Sequence, residues 1–199
     1  YSHLSSEHRL KAVEALAREL REPFAQATPF PHVVIDDFLP AEVLDRVLEE
    51  FPSPEGIDWI RYHAPRERKM ESAVEAQLGP ATRHLISQLN GSVFLAFLEQ
   101  LTGVTGLIPD PHLYGAGLHR IEPGGLLSVH ADFHWYERLR LSRRVNLLLY
   151  LNRDWREEFG GHLELWSSDM TRCERRILPV FNRCVMFASS ESSYHGHPD

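Results

Sequence analysis

From Pro111 onward the sequence breaks into short β-rich runs set apart by Gly, Pro, Asn and Asp, at residues 112–121, 126–130, 144–151, 161–166, 175–178 and 183–188. Strands this short bury a core only when two antiparallel sheets face each other or one sheet closes on itself, so the second half of the chain reads as a sandwich or barrel. The first half has a different period. Leu10, Val13, Leu16, Ala17 and Leu20 recur at helical spacing until Pro23 ends the pattern. His32 to Phe38 reads as a strand, and Leu44, Val47, Leu48 and Phe51 follow Pro40 as a helix with proline in its first turn. One long stripe, Leu85, Ile86, Leu89, Val93, Phe94, Phe97, Leu98 and Leu101, predicts a single helix over residues 81–101, closed by Thr102 and Gly103. Residues 61–75 carry both charges without a clear period and read as a solvated loop with no functional role. The expected fold is mainly β with N-terminal helices: a jelly roll buttressed on one face by α-helices.

A chain of 199 residues with 43% hydrophobic and 25% charged positions has the size and balance of one globular domain, with helical support over roughly 1–105 and a jelly-roll core over roughly 110–199. Its formal charge of -7 opposes a phosphate backbone, so no nucleic-acid partner is expected. The longest apolar run, Leu147 to Leu151, cannot span a bilayer, and the N-terminus lacks a basic-then-apolar pattern, which favours a cytoplasmic protein without a membrane partner. Cys173 and Cys184 lack paired spacing and read as reduced thiols. Oligomeric state is not readable.

Twelve histidines are unusual, and most must be structural or solvent-exposed because a metal site uses only two or three, but one pair stands out. In Val129-His130-Ala131-Asp132, residues i and i+2 can project from one side of a strand end, bringing an imidazole and a carboxylate to the same point. His195, in Tyr194-His195-Gly196-His197-Pro198, can supply a third ligand from a turn-forming context. Two His and one carboxylate on one face of an octahedron suit a non-haem Fe(II) site with open positions. His-x-acid triplets also arise by chance, and a hydrogen-bonded surface pair at a strand end is the plain alternative for His130 and Asp132. His162-x-Glu164 is a second such pair, otherwise a solvent-facing edge alternating with Leu163 and Leu165, and His197 can replace His195 as the distal ligand. His134 reads as a lid or substrate-side residue and His119 as a supporting or structural histidine.

Beyond the spacing there is a resemblance. The blocks Gly117-Leu118-His119, residues 124–133 around His130 and Asp132, residues 144–152 around Tyr150, residues 160–166 and residues 194–198 occur in an order similar to that of the prolyl-4-hydroxylase-like branch of the Fe(II)/2-oxoglutarate dioxygenases, over about the last 90 residues. The resemblance implies a double-stranded β-helix, with His130, Asp132 and His195 as metal and catalytic residues. It implies that Tyr150 hydrogen-bonds the far carboxylate of 2-oxoglutarate, and strand alternation makes Asn146 a second cofactor-binding candidate. The family also supplies a basic residue, usually Arg, ten or more positions past the distal histidine. None follows before Asp199, so the natural polypeptide is expected to continue into a final strand.

The implied cofactors are Fe(II), 2-oxoglutarate and O2, and the implied reaction is hydroxylation of an unactivated C–H bond with release of succinate and CO2. A carboxylate at Asp132 leaves no position for chloride, which favours hydroxylation over halogenation. The substrate class stays open between a peptidyl prolyl group and a small molecule. Residues 133–143, aromatic and basic together, read as a lid or as a plain hairpin connection; Arg138, Arg140 and Arg143 there favour an anionic substrate. A non-catalytic or cupin-like metal-binding jelly roll, and more remotely a Zn or Mn hydrolase, compete with this reading.

Overall fold

The computed structural model describes residues 6–110 and 112–198, with side chains from residue 11 onward. Four helices, interleaved in the chain with the first three strands, support two facing antiparallel sheets. The helices are α1 (Ser6–Gln26), α2 (Ala41–Glu49), α3 (Pro80–Leu89) and α4 (Ser92–Thr102). The strands are β1 (His32–Ile35), β2 (Ile60–Ala64), β3 (Glu67–Ser72), β4 (Leu118–Arg120), β5 (Leu126–His130), β6 (Trp135–Tyr136), β7 (Leu141–Ser142), β8 (Val145–Leu149), β9 (Leu163–Trp166), β10 (Cys173–Ile177), β11 (Cys184–Ala188) and β12 (His195–His197). One sheet runs β1-β11-β8; the other runs β10-β9-β12-β5-β3-β2, with β4 also on β3; β6 and β7 pair as a separate hairpin. From β5 to β12 the chain passes back and forth between the two main sheets, which is the winding of a jelly roll. No helix among the described residues is long and apolar enough to cross a membrane.

Strand β11 shows why the layers hold. Cys184, Val185, Met186 and Phe187 are all fully buried. Alternation sends Cys184 and Met186 into a cluster with Ala17 and Phe24 of α1 and Phe97, Leu98 and Leu101 of α4. Val185 and Phe187 point the other way, joining Phe30, Leu163, Leu165, Ile177, Leu148 and Tyr150 between the sheets. A strand covered on both faces reads as a continuous apolar run. A third cluster, Trp59, Met70, Leu78 and Leu118, fastens β3 and β4 to the α2–α3 side.

Four sequence expectations change. Helix α1 runs to Gln26, past Pro23, because burying Phe24 against α4 outweighs the hydrogen bond that proline removes. The stripe over 81–101 is two helices: at Asn90 the side-chain amide turns back to donate to the Ile86 carbonyl at 3.0 Å, and Gly91 starts the next segment. Residues 61–75 are no loop but the β2/β3 hairpin, whose charged residues fall on both faces and hide the period-2 signal. The run 112–121 shrinks to the three residues of β4.

Candidate metal centre

Strands β5 and β12 lie side by side with His130 opposite His195, so their Cα positions are neighbours in the sheet. Between this pair and the next, His197 opposite Leu127, β5 spends three steps where β12 spends two. This bulge keeps Leu127 and His130 on the same face as His195. Gly196 makes the close pairing possible: a Cβ there would lie 2.7 Å from the Leu127 carbonyl oxygen and 3.0 Å from the Val129 Cα. Just past the end of β5, Asp132 turns its carboxylate toward both rings, with Oδ1 3.5 Å from His130 Nε2 and Oδ2 3.8 Å from His195 Nε2. One donor atom from each of His130, Asp132 and His195 lies within 4.8 Å of the others.

The two histidines are held alike. Nδ1 of His130 donates to the Ser128 carbonyl and Nδ1 of His195 to the Ser193 carbonyl, each at 2.9 Å. Each ring therefore turns Nε2 toward the carboxylate, where it can ligate once it carries no proton. The ring of Phe187 packs 4.7 Å from that of His195, which is only 5% exposed. Burial lowers the pKa of His195 despite the attraction of Asp132, so the ring is neutral and able to ligate. For His130, burial acts downward too, but the hydrogen bond to Asp132 and the Ser128 carbonyl outweigh it and the pKa is raised. Burial alone would raise Asp132. His130, His195 and Arg143 more than offset that and hold its carboxyl well below the usual carboxylate range. Two neutral-capable imidazoles and one obligate carboxylate on one side of a partly buried point fit a divalent iron with open positions.

Asp132 is itself positioned. Asn146 on β8 donates from Nδ2 to Oδ2 at 2.7 Å, and Arg143 Nη1 lies 3.2 Å from the same oxygen. Arg143 is fixed in turn by the Phe133 ring, 4.0 Å away, and by the Tyr114 carbonyl, which accepts from Nη2 at 2.7 Å. The sequence reading set Asn146 beside 2-oxoglutarate and Arg143 in a lid; the structure brings both to the carboxylate. Tyr150 lies on the same face of the β8 segment as Asn146, packed against the cluster that contains Phe187. Burial pushes its phenol above the ordinary range, keeping it a neutral donor, and its hydroxyl has no partner among the described residues.

The competing ligands fall elsewhere. His162 and Glu164 are buried rather than solvent-facing, which corrects the expected polar edge; His162 meets Glu157 at 2.9 Å, and Glu164 is engaged by Arg176 and Trp166. His197 follows on β12 outside the triad, its pKa pushed down to about 4 by burial and then by Lys69. His119, on β4, is also lowered, chiefly by burial. Residues 133–143 form the β6/β7 hairpin, anchored by Tyr136 stacking on Tyr114 at 4.4 Å. Its side chains Phe133, Tyr136, Leu139 and Leu141 face a groove of about 550 Å³ shared with α3 and α4, while Arg138 and Arg140 are exposed. Sequence reasoning missed the β2/β3 hairpin beside β5; the alternation of Tyr62 and of Glu67, Lys69 and Glu71 was the available signal.

Fold and donor set together are those of a jelly roll that can hold one metal ion through two imidazoles and a carboxylate. Residues 116–199 match the model of the 2OG-Fe(II) oxygenase superfamily, whose cofactors are Fe(II), 2-oxoglutarate and O2. A prolyl 3-hydroxylase of Mus musculus is 25% identical over 206 residues, covering 98% of this chain and 35% of that protein, so the chain spans about a third of its relative's length. In three dimensions it is similar to a prolyl-4-hydroxylase of Pseudomonas putida, with TM-score 0.67 and 18% identity over 92% of this chain and 91% of that one. It is also similar to a Trichoplax adhaerens prolyl hydroxylase in complex with a hypoxia inducible factor oxygen degradation domain peptide fragment, with TM-score 0.66 and 16% identity over 98% and 88% of the two chains. The likeness is to a prolyl-hydroxylase-like fold.

Proposed function

We propose that this chain is a hydroxylase that binds one Fe(II) through His130, Asp132 and His195, with 2-oxoglutarate and O2 as cosubstrates, and oxidises a C–H bond of a peptidyl prolyl group or a small molecule. The convergence of the three donors, with both Nδ1 atoms committed to carbonyls, carries the reading. Iron and 2-oxoglutarate, when bound, supply the oxidising chemistry, consuming O2 and releasing succinate and CO2.

The chain's own residues do the rest. Both rings are already oriented by Nδ1, so neither has to rotate before it ligates; His195 is held neutral, while His130 gives up the Nε2 proton it shares with Asp132. Asp132 supplies the anionic donor, and Asn146 and Arg143, both on Oδ2, fix the orientation of the carboxylate between the rings. Phe187 walls off the side of His195 and keeps water from it. Tyr150, its phenol neutral and without a hydrogen-bond partner among the described residues, suits a carboxylate acceptor such as the far end of 2-oxoglutarate.

Anaerobic reconstitution of the full chain with Fe(II) and 2-oxoglutarate tests this through the weak visible charge-transfer band of the chelate, with Asp132→Ala as control. A band that the substitution removes is expected. Tight iron binding with no band and no 2-oxoglutarate turnover points instead to a metal-binding jelly roll without catalysis.

A further inference from the structure

The face of the β2-β3-β4 sheet turned away from the metal ligands carries charge that the proposed reaction does not use. The two faces separate by register. Glu67 on β3 opposes Leu127, which in turn opposes His197, so Glu67, Lys69 and Glu71 lie on the metal side. Arg68 and Met70 lie on the other face. Met70 is flanked by Arg61 on β2 and Arg120 on β4 at the same level. Neighbouring strands are about 4.8 Å apart and residues two along a strand about 7 Å, so three arginines stand within side-chain reach of one point.

They line a cavity of about 190 Å³ whose end is closed by the turn Glu122–Gly125, and Glu122 is the sole carboxylate among its described lining residues. Lys69, which also borders it, is committed to Glu67 and Glu71 at 3.2 Å each. Arg61 is oriented by the Pro54 carbonyl. The side chains of Arg68 and Arg120 make no ion pair or hydrogen bond among the described residues, and the Arg120 Nε is buried with no acceptor. A buried guanidinium donor without an acceptor is destabilising, and it is rarely left so. On a chain with formal charge -7, a concave cluster of uncompensated guanidinia is a local reversal of sign.

We propose that Arg61, Arg68 and Arg120 form a binding site for a phosphate group, with Arg120 Nε–H as its buried donor. Planar forks on three sides match a tetrahedral oxyanion in the way single lysines do not. Along β5, Arg68 stands opposite Leu126, four residues from His130 and so about 13 Å from the metal ligands, on the other face of the sheet. The site is separate from the iron and does not depend on the proposed reaction.

Side-chain Nε–Hε resonances of the arginines in the full chain test this directly. Inorganic phosphate is titrated against sodium chloride at matched ionic strength. The expected result is a saturable shift of the Arg120 signal, half-complete at about a millimolar or below, that chloride does not reproduce. Arg120→Lys, which keeps the charge but removes the fork, weakens this by about tenfold or more, while Arg138→Gln at the β6/β7 tip leaves it unchanged. Phosphoserine binding as tightly as phosphate assigns the site to a phosphate ester, and phosphate alone binding assigns it to the free ion; each supports the site. Should Arg120→Lys not fold, Arg68→Gln, at an exposed position of β3, carries the same expectation. Shifts that merely follow ionic strength, or a midpoint indifferent to both substitutions, overturn the proposal.

Discussion

Asn146→Ala separates holding the metal from holding the fold. Its amide makes one hydrogen bond, 2.7 Å long, to an ionised carboxylate that is mostly buried. A hydrogen bond to a charged group contributes about 1.5–3 kcal/mol, which at about 1.4 kcal/mol per decade is roughly 10–100-fold in an equilibrium constant. Loss of a group that orients a metal ligand falls in the same range. Arg143 still reaches the same oxygen at 3.2 Å after the change, so the lower end applies and metal affinity drops about tenfold. Mn(II), a redox-inert stand-in, is titrated into the apo chain and free ion read by electron paramagnetic resonance, beside a thermal melt. The melt controls for damage, because Asn146 pairs through its backbone with Phe187 and that ladder survives truncation. Asn146→Thr, which restores a donor on a good strand former, recovers part of the loss. An affinity within about twofold of the parent, with an unchanged melt, refutes the claim that Asn146 positions Asp132.

Gly196→Ala pushes a methyl against the Leu127 carbonyl and the Val129 backbone, so β12 shifts away from β5; metal binding falls by more than about tenfold while the helical layer stays folded, as hydrogen exchange on α4 against β12 reports. Phe187→Ala empties the wall beside His195 and costs about 3–5 kcal/mol by chemical denaturation. Tyr62 donates to Glu71 at 2.8 Å, and that bond, followed by burial, pushes the phenol up to about 12. Since the folded value is the raised one, the stabilisation is fully present below about pH 10 and is lost as pH rises toward 12, so ultraviolet titration of Glu71→Gln shows tyrosinate forming earlier. Glu50 accepts from the Thr82 and Ala81 backbone at the start of α3, and Glu50→Ala lowers stability by about 1 kcal/mol, which a denaturant midpoint without a change in slope verifies.

What the sequence made legible follows from which signals are local. His130, Asp132 and His195 were expected chiefly from the resemblance, since the His-x-Asp spacing alone left a surface pair open and His197 could replace His195; the structure brings the three to one point. Period 2 and the turn residues place β5, β8, β9 and β11 within a residue or two. The roles of Asn146 and Arg143 were less legible, because they depend on the chain passing from β5 across the β6/β7 hairpin to the opposite sheet, a long-range arrangement no spacing encodes. The hairpin β2/β3 was hidden for another reason: with Arg61 and Arg68 on one face and Glu67, Lys69 and Glu71 on the other, hydrophobicity does not alternate although the side chains do. His162 defeated a rule of thumb. Alternating with Leu163 and Leu165, it reads as part of a solvent-facing edge, yet Glu157 and Arg176 give its ring polar company and it is buried.

The position of the bulge in β5 ties these points together. A regular β5 opposite β12 would put Leu127 and His130 on opposite faces, since they are an odd number of residues apart. The extra residue corrects the parity, so that His130 faces the interior beside His195 while Leu127 still pairs with His197 and with Glu67 of β3. One irregular step thus decides two things: the imidazoles meet at the carboxylate, and the charges of β3 divide into a metal-side row and an outer arginine face. A substitution that straightened β5 would send His130 or Leu127 to the wrong side. The local irregularity therefore belongs to the function more than to the stability of the sheet.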